Sequence, residues 1–188
     1  MEKYNIIYAD PPWKYAKRNN PKTRFGIGMH RYKGMTFQEI LNLQQFVKSL
    51  AAENCALFMW HVAPKLAQYP IDVIFKNWGF RYVTKAFCWV KIDKKFKLRY
   101  LPGHYTGSNT EDCYLGIKGK MPRLNGGVNQ VVLAPLTKHS EKPVIVRDRI
   151  VQLYGDLPRI ELFATKVVDG WDSWGDAIPG SFYAEATL

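Results

Sequence analysis

Acidic residues are scarce in this chain. Sixteen aspartates and glutamates face 27 lysines and arginines, a formal net charge of +11. Such a surplus points to a polyanion as partner and says nothing about fold. The imbalance is local as well as total. Between Asp10 and Glu39 there is no acidic residue, while Lys14, Lys17, Arg18, Lys22, Arg24, Arg31 and Lys33 all fall there. Cysteine is sparse too. Cys55, Cys88 and Cys113 lie far apart in apolar segments, which reads as reduced buried thiols and excludes a disulfide framework. The four histidines, His30, His61, His104 and His139, share no ligand spacing with each other or with the cysteines, so no metal is expected. No apolar run approaches the ~20 residues of a membrane span. The opening MEKYNIIYAD enters a strand at once and lacks the layout of a signal peptide. A cytoplasmic protein without a membrane partner is expected. The glycine-rich GxGxxG fingerprint is missing as well. What remains is 188 residues, 47% hydrophobic and 14% aromatic. That suits one globular domain over 1–188, and there is no internal repeat or linker.

The most informative positive feature is Asp10-Pro11-Pro12-Trp13, directly after the apolar run Ile6-Ile7-Tyr8-Ala9. An acid, two prolines and a tryptophan expected to be exposed at a strand end are poor core material and a good clamp for a flat base bearing an amine. An aromatic amine is a weak nucleophile because its lone pair is delocalised into the ring. Acceptors aimed at its hydrogens help it become tetrahedral and stabilise the positive charge that develops. The Asp10 carboxylate is one such acceptor. The Pro11 carbonyl is the natural second, because Pro12 has no N–H and biases Pro11 to an extended conformation. Trp13 offers a stacking face, worth ~1–3 kcal/mol per base. The plainer reading is a strand ended by a rigid turn. The motif favours a methyltransferase that uses S-adenosylmethionine and acts on the adenine amino group.

Two basic stretches, 14–35 and 92–109, are the candidate substrate-binding loops. Lys94, Lys95, Lys97 and Arg99 populate the second, and Lys91 just ahead of it completes a basic cluster. Aromatic residues interleave both: Tyr15, Phe25 and Tyr32, then Phe96 and Tyr100. Cations plus stacking faces fit single strands or flipped bases, and loops this long are usually functional or disordered. Basic loops that merely keep the protein in solution remain the alternative, and charge does not separate DNA from RNA.

Periodicity predicts strands at Tyr4–Asp10, Cys55–Trp60, Tyr82–Lys91, Asp112–Lys118, Val128–Leu133 and Arg159–Phe163. It predicts helices from the capping box Thr36-Phe37-Gln38-Glu39 to about Ala52, from Pro64 to Asn77, and from about Pro143 to Tyr154. Alternation of this kind argues for an α/β fold, a mostly parallel sheet with helices on both faces, whose ligands bind beyond the carboxyl ends of the strands. The tail 170–175, with two tryptophans, reads as packed back on the sheet.

Several blocks in order carry a resemblance to a known family. They are Ile7-Tyr8-Ala9-Asp10-Pro11-Pro12-Trp13; Tyr32-x-Gly34-Met35-Thr36; Leu57-Phe58-Met59-Trp60; Trp89-Val90-Lys91; Gly103-His104-Tyr105; the run 111–119 from Glu111 to Gly119; His139-Ser140-Glu141-Lys142-Pro143; Glu161-Leu162-Phe163-Ala164; and the run 170–175 from Gly170 to Gly175. Together they resemble the N6-adenine methyltransferases related to the mRNA adenosine methyltransferase catalytic subunit, the MT-A70-like family with its bacterial and phage members.

The resemblance implies a Rossmann-like methyltransferase fold with the catalytic motif ahead of the cofactor strand, as in the β class of amino-methyltransferases. It implies that Asp10 and the Pro11 carbonyl, with Pro12 and Trp13, hold the target amine. It places S-adenosylmethionine against Asp10, Ser140, Lys142, Glu161, Phe163, Thr165 and Asp176, and the target nucleoside near Tyr32, Lys91, His104 and Glu111. Thr165 and Asp176 stand where the family often has arginine and asparagine. As residue types alone, Lys142 could be a solvated lysine, Glu111 an edge charge and Tyr32 a packing residue. The implied partner is nucleic acid, with DNA preferred and RNA possible. The oligomeric state is open, a homodimer included.

Overall fold

The computed structural model describes residues 3–14, 34–103, 105–137 and 141–181. β1 (Tyr4–Ala9) is buried from Ile6 to Ala9, as expected of a central strand covered on both faces. The capping box is present: Thr36 accepts from the Glu39 N–H, and Glu39 accepts from the Thr36 N–H. The single helix expected there is divided by a turn at Leu43 (ψ −1°) into α1 (Phe37–Asn42) and α2 (Gln44–Leu50). β2 (Ala51–His61) follows without a connection and begins four residues earlier than the sequence predicts.

The helix predicted from Pro64 to Asn77 also shortens. A 3₁₀ turn at Ala63–Lys65 is followed by α3 (Ile71–Trp78). Pro70 is the reason: it lacks an N–H and disfavours helical backbone in the residue before it, so α3 can only start after it. Gly79, left-handed at φ 89°, ends α3. β3 (Arg81–Ile92), β4 (Thr110–Lys118), β5 (Val131–Pro135), α4 (Val144–Tyr154) and β6 (Arg159–Leu162) follow, close to prediction. The tail contributes a further strand, β7 (Asp172–Trp174).

Among the described residues the sheet has seven strands in the order β5-β3-β4-β2-β1-β6-β7. β1/β2, β1/β6, β6/β7 and β3/β5 pair in parallel, and β4 is antiparallel to both neighbours. The mostly parallel sheet is thus as expected, interrupted by one reversed strand. Side chains alternate between two apolar layers. Ile7, Ala9, Leu57 and Met59 face α1–α3 through Ile40, Val47, Ile74, Phe75 and Trp78. Ile6, Tyr8, Phe58 and Trp60 face α4 through Val146, Ile150 and Tyr154. Helices therefore cover both faces. β4 approaches α3 so closely that a Cβ on Gly116 would lie 2.7 Å from the Phe75 ring.

Register gathers distant residues at one edge. Ala9 pairs with Leu162 and with Met59, so Asp10 and Phe163 leave the sheet side by side, level with Trp60. Trp89 pairs with Glu111, which brings the end of β3 and the start of β4 to the same edge. α4 starts there too, carrying Lys142 just ahead of its first turn.

Candidate active site at the carboxyl edge of the sheet

The Asp-Pro-Pro-Trp segment is a tight turn. The Trp13 N–H donates to the Pro11 carbonyl at 2.9 Å, with Pro12 between them. An inverse γ-turn needs φ near −75° at its centre, which the proline ring supplies. Beyond the turn the chain is tied to Met35: the Met35 N–H donates to the Pro12 carbonyl (2.7 Å) and the Lys14 N–H to the Met35 carbonyl (3.0 Å). This pairing turns the indole inward. Trp13 is 5% exposed and lies 4.4 Å from His61 and 5.4 Å from Tyr69, centroid to centroid. The expectation of an exposed Trp13 face is corrected here, because the ring is spent on the protein's own core.

Asp10 stands at the head of an alternating ladder of charges. Lys142 Nζ donates to Asp10 Oδ2 at 2.6 Å and lies 3.4 Å from Glu111 Oε2, while Lys91 Nζ reaches Glu111 Oε1 at 2.6 Å. Lys142 also sits over the Trp60 ring and Lys91 over the Trp89 ring. Burial lifts the Asp10 carboxyl above its ordinary value, against the opposing pull of Lys142. Burial would lift Glu111 as well, but Lys142 and Lys91 outweigh it and hold that carboxyl below its usual range. Burial would lower Lys142, yet the two carboxylates around it keep it above the ordinary lysine value. A quarter of the Asp10 side chain stays accessible, against 11% for Lys142.

Beneath this ladder lies a second pair. Arg147 on α4 clasps Glu161 on β6 through Nε at 2.8 Å and Nη2 at 2.7 Å, both residues buried. The guanidinium lies 5.3 Å from the Tyr8 ring centre, and Tyr8 Oη accepts from Trp60 Nε1. Glu161 was expected to flank a cofactor; both its oxygens are engaged by Arg147. Arg147 was not singled out from sequence. Its signal was a charged residue on the apolar stripe Val146, Ile150, Tyr154 of α4.

β6 ends abruptly. Phe163 takes a left-handed backbone (φ 63°), uncommon for a bulky residue. Its ring packs on Trp174, 5.6 Å away, and the Ala164 N–H donates to the Trp174 carbonyl. Gly175 is required by this contact, since a Cβ there would lie 2.4 Å from the Ala164 carbonyl oxygen. Thr165 and Asp176 are exposed on the loops after β6 and β7. Lys166 pairs with Glu141, joining the loop after β6 to the segment before α4.

The structure thus brings Asp10, Pro11, Lys91, Glu111, Lys142, Glu161, Phe163, Thr165 and Asp176 to one edge. Tyr32, His104, Ser140 and most of the 14–35 loop lie outside the described residues. The cysteines are free, as expected: Cys55 and Cys113 are buried and Cys88 half-buried. Among the described residues no acid, histidine and cysteine cluster could hold a metal, and no helix is long and apolar enough to cross a membrane.

The sequence pattern of the MT-A70 family matches residues 4–177. The Type II methyltransferase M.MunI of Mycoplasma sp is 36% identical, over 95% of this chain and 79% of its own length. The human N(6)-adenine-specific methyltransferase METTL4 is 28% identical over 93% of this chain. The human N(6)-adenosine-methyltransferase catalytic subunit METTL3 is 26% identical over 96%. The chain spans only 37% and 29% of those two longer relatives.

Proposed function

The chain belongs to the MT-A70 family, and from that premise we propose that it transfers a methyl group from S-adenosylmethionine to the N6 amino group of adenine in nucleic acid, with DNA as the preferred substrate. The observation that carries the proposal is the Asp10 carboxylate, partly open, beside a Pro11 carbonyl fixed by the Pro12 turn.

The residues at the edge suit the cofactor. Its methionine part is a zwitterion, and Asp10 and Lys142, 2.6 Å apart, offer one charge of each sign. Phe163 presents a ring at the end of β6, and Asp176 and Thr165 are accessible beside it for ribose hydroxyls. When bound, S-adenosylmethionine supplies an electrophilic methyl on a cationic sulfur. The protein's own part is positioning and charge. The Asp10 oxygens accept from the amine N–H. The Pro11 carbonyl, already oriented by Trp13, retains a second lone pair for the other hydrogen. The nitrogen gains a methyl and sheds one proton, for which Asp10, lifted above the ordinary carboxyl value, is a base at hand. Holding amine against methyl is itself a large part of the rate. Lys91 and Glu111 extend the polar edge toward the rest of the nucleoside, a role we extend to Tyr32 and His104. Trp13 keeps the turn in shape.

The preference for DNA rests on the likeness to a compact Type II methyltransferase. An RNA-directed enzyme is the second reading, favoured by the likeness to an N(6)-adenosine-methyltransferase. Methyl incorporation into matched DNA and RNA oligonucleotides of one sequence decides between them. Faster incorporation into DNA is expected, and a preference for RNA overturns that choice. A binding subunit without activity, for which the departures at Thr165 and Asp176 speak, is recognised if neither oligonucleotide is methylated and S-adenosylmethionine does not bind.

A further inference from the structure

β3 does not stop at the site. Past Lys91, which is tied to Glu111, the chain continues as a ribbon. Ile92 bridges Leu98, the Arg99 N–H donates to the Lys91 carbonyl (2.9 Å), and the Ser108 N–H to the Leu101 carbonyl (2.8 Å). Asp93 is the sole acid in 92–109. Its carboxylate is used within the apex, where Oδ1 accepts from the N–H groups of Lys95 (2.7 Å) and Lys97 (3.0 Å). The Asp93 N–H donates to the Lys97 carbonyl and the Phe96 N–H to the Asp93 carbonyl. The apex is thus bolted and cationic.

At its tip is Phe96. The residue is 82% exposed, and its backbone is left-handed at φ 60°. Glycine or asparagine would take that conformation with little strain, and a polar residue would be better solvated. A bulky aromatic accepts both penalties at once, and strain of this kind collects at functional sites. The exposed neighbours Leu98, Tyr100 and Tyr105 continue the apolar surface, interleaved with Lys94, Lys95, Lys97 and Arg99. An aromatic tip ringed by cations complements stacked bases between phosphates. The apex lies no more than ~17 Å along the ribbon from Lys91, about five base-pair steps, and Lys91 is already part of the ladder that ends at Asp10.

We propose that Phe96 is a wedge for duplex nucleic acid. Its ring enters the base stack beside the target adenine, Lys94, Lys95, Lys97 and Arg99 hold the flanking phosphates, and the extruded adenine reaches Asp10. The proposal rests on the methyltransferase reading above. A base inside a duplex is out of reach of the edge, and unstacking it needs compensation. A single strand needs no wedge, and that difference makes the role measurable.

The test uses the full chain and Phe96→Ala, with Phe96→Trp as the conservative variant and one adenine offered in a DNA duplex and in the same strand alone. Phe96→Ala is expected to melt at the wild-type temperature and to bind S-adenosylmethionine equally by calorimetry. It is expected to lose at least about 10-fold of transfer to the duplex and to change less than about 3-fold on the single strand. With 2-aminopurine at the target position, wild type and Phe96→Trp raise the fluorescence of the duplex and Phe96→Ala does not. Equal loss on both substrates, or no loss on the duplex, overturns the wedge. Wild type that methylates neither substrate overturns the functional reading instead, and the fluorescence rise still reports on the wedge.

Discussion

Asp10→Ala is expected to lower methyl transfer to an adenine oligonucleotide by about 10³-fold or more while weakening S-adenosylmethionine binding by less than about 10-fold. Removing one oriented partner from a developing charge costs about 10²–10³ in rate, and in the proposed mechanism the carboxylate also serves as the base. Cofactor binding should survive better, because the other proposed contacts at Lys142, Phe163 and the loop after β7 remain. The surrounding fold should tolerate the change, since the Asp10 side chain is a quarter exposed and Lys142 keeps Glu111 as a partner at 3.4 Å. Label incorporation and a calorimetric titration measure the two quantities on one preparation. Full activity in the variant removes Asp10 from the chemistry.

The second large effect concerns stability. Arg147→Met strands the Glu161 carboxylate between α4 and β6, where Arg147 is 5% and Glu161 7% exposed. Breaking a buried pair by removing one partner costs about 3–5 kcal/mol, which for a domain of this size lowers Tm by about 10 °C. Glu161 faces Arg147 from α4, Tyr8 from β1, Asp10 just past β1, and Lys166 from the loop after β6. Burial already lifts its carboxyl above the ordinary value, against the pull of Arg147, and losing the guanidinium lifts it further. A carboxyl raised on folding favours the folded state below its unfolded value, and that contribution is lost as pH rises through the folded value. The deficit of Arg147→Met should therefore be largest at alkaline pH and shrink as the pH falls and Glu161 takes a proton. Adding Glu161→Leu should restore most of the lost Tm, because the unpaired charge goes with it. Thermal unfolding of the single and double variants as a function of pH checks the sign. A single variant as stable as wild type, or a deficit that grows toward acid, contradicts this account of the pair.

Asp10 was legible because its surroundings are local: an apolar strand, then two prolines that have no place inside it. Pro12 acts within three residues, so the fixed Pro11 carbonyl could be read from order alone. The alternation of strands and helices gave the sheet, since each periodicity is a short-range property. What escaped depends on contacts remote in sequence. Lys142 and Asp10 are 132 positions apart, and nothing between them announces a 2.6 Å bond. Trp13 looked exposed beside its prolines, but Met35, His61 and Tyr69 close over it. Arg147 resembled an ordinary helix cation until β6 placed Glu161 opposite. Pro70, by contrast, was a visible breaker whose effect on the preceding turn outweighed the apolar periodicity around it.

The central claim is that this edge methylates the exocyclic nitrogen of adenine. The most direct measurement is nucleoside mass spectrometry of DNA incubated with the purified protein and S-adenosylmethionine, beside an Asp10→Ala control. The account predicts N6-methyladenine that appears with the wild-type protein and is absent with the variant. Methylcytosine as the product, or N6-methyladenine formed equally by the variant, would contradict it.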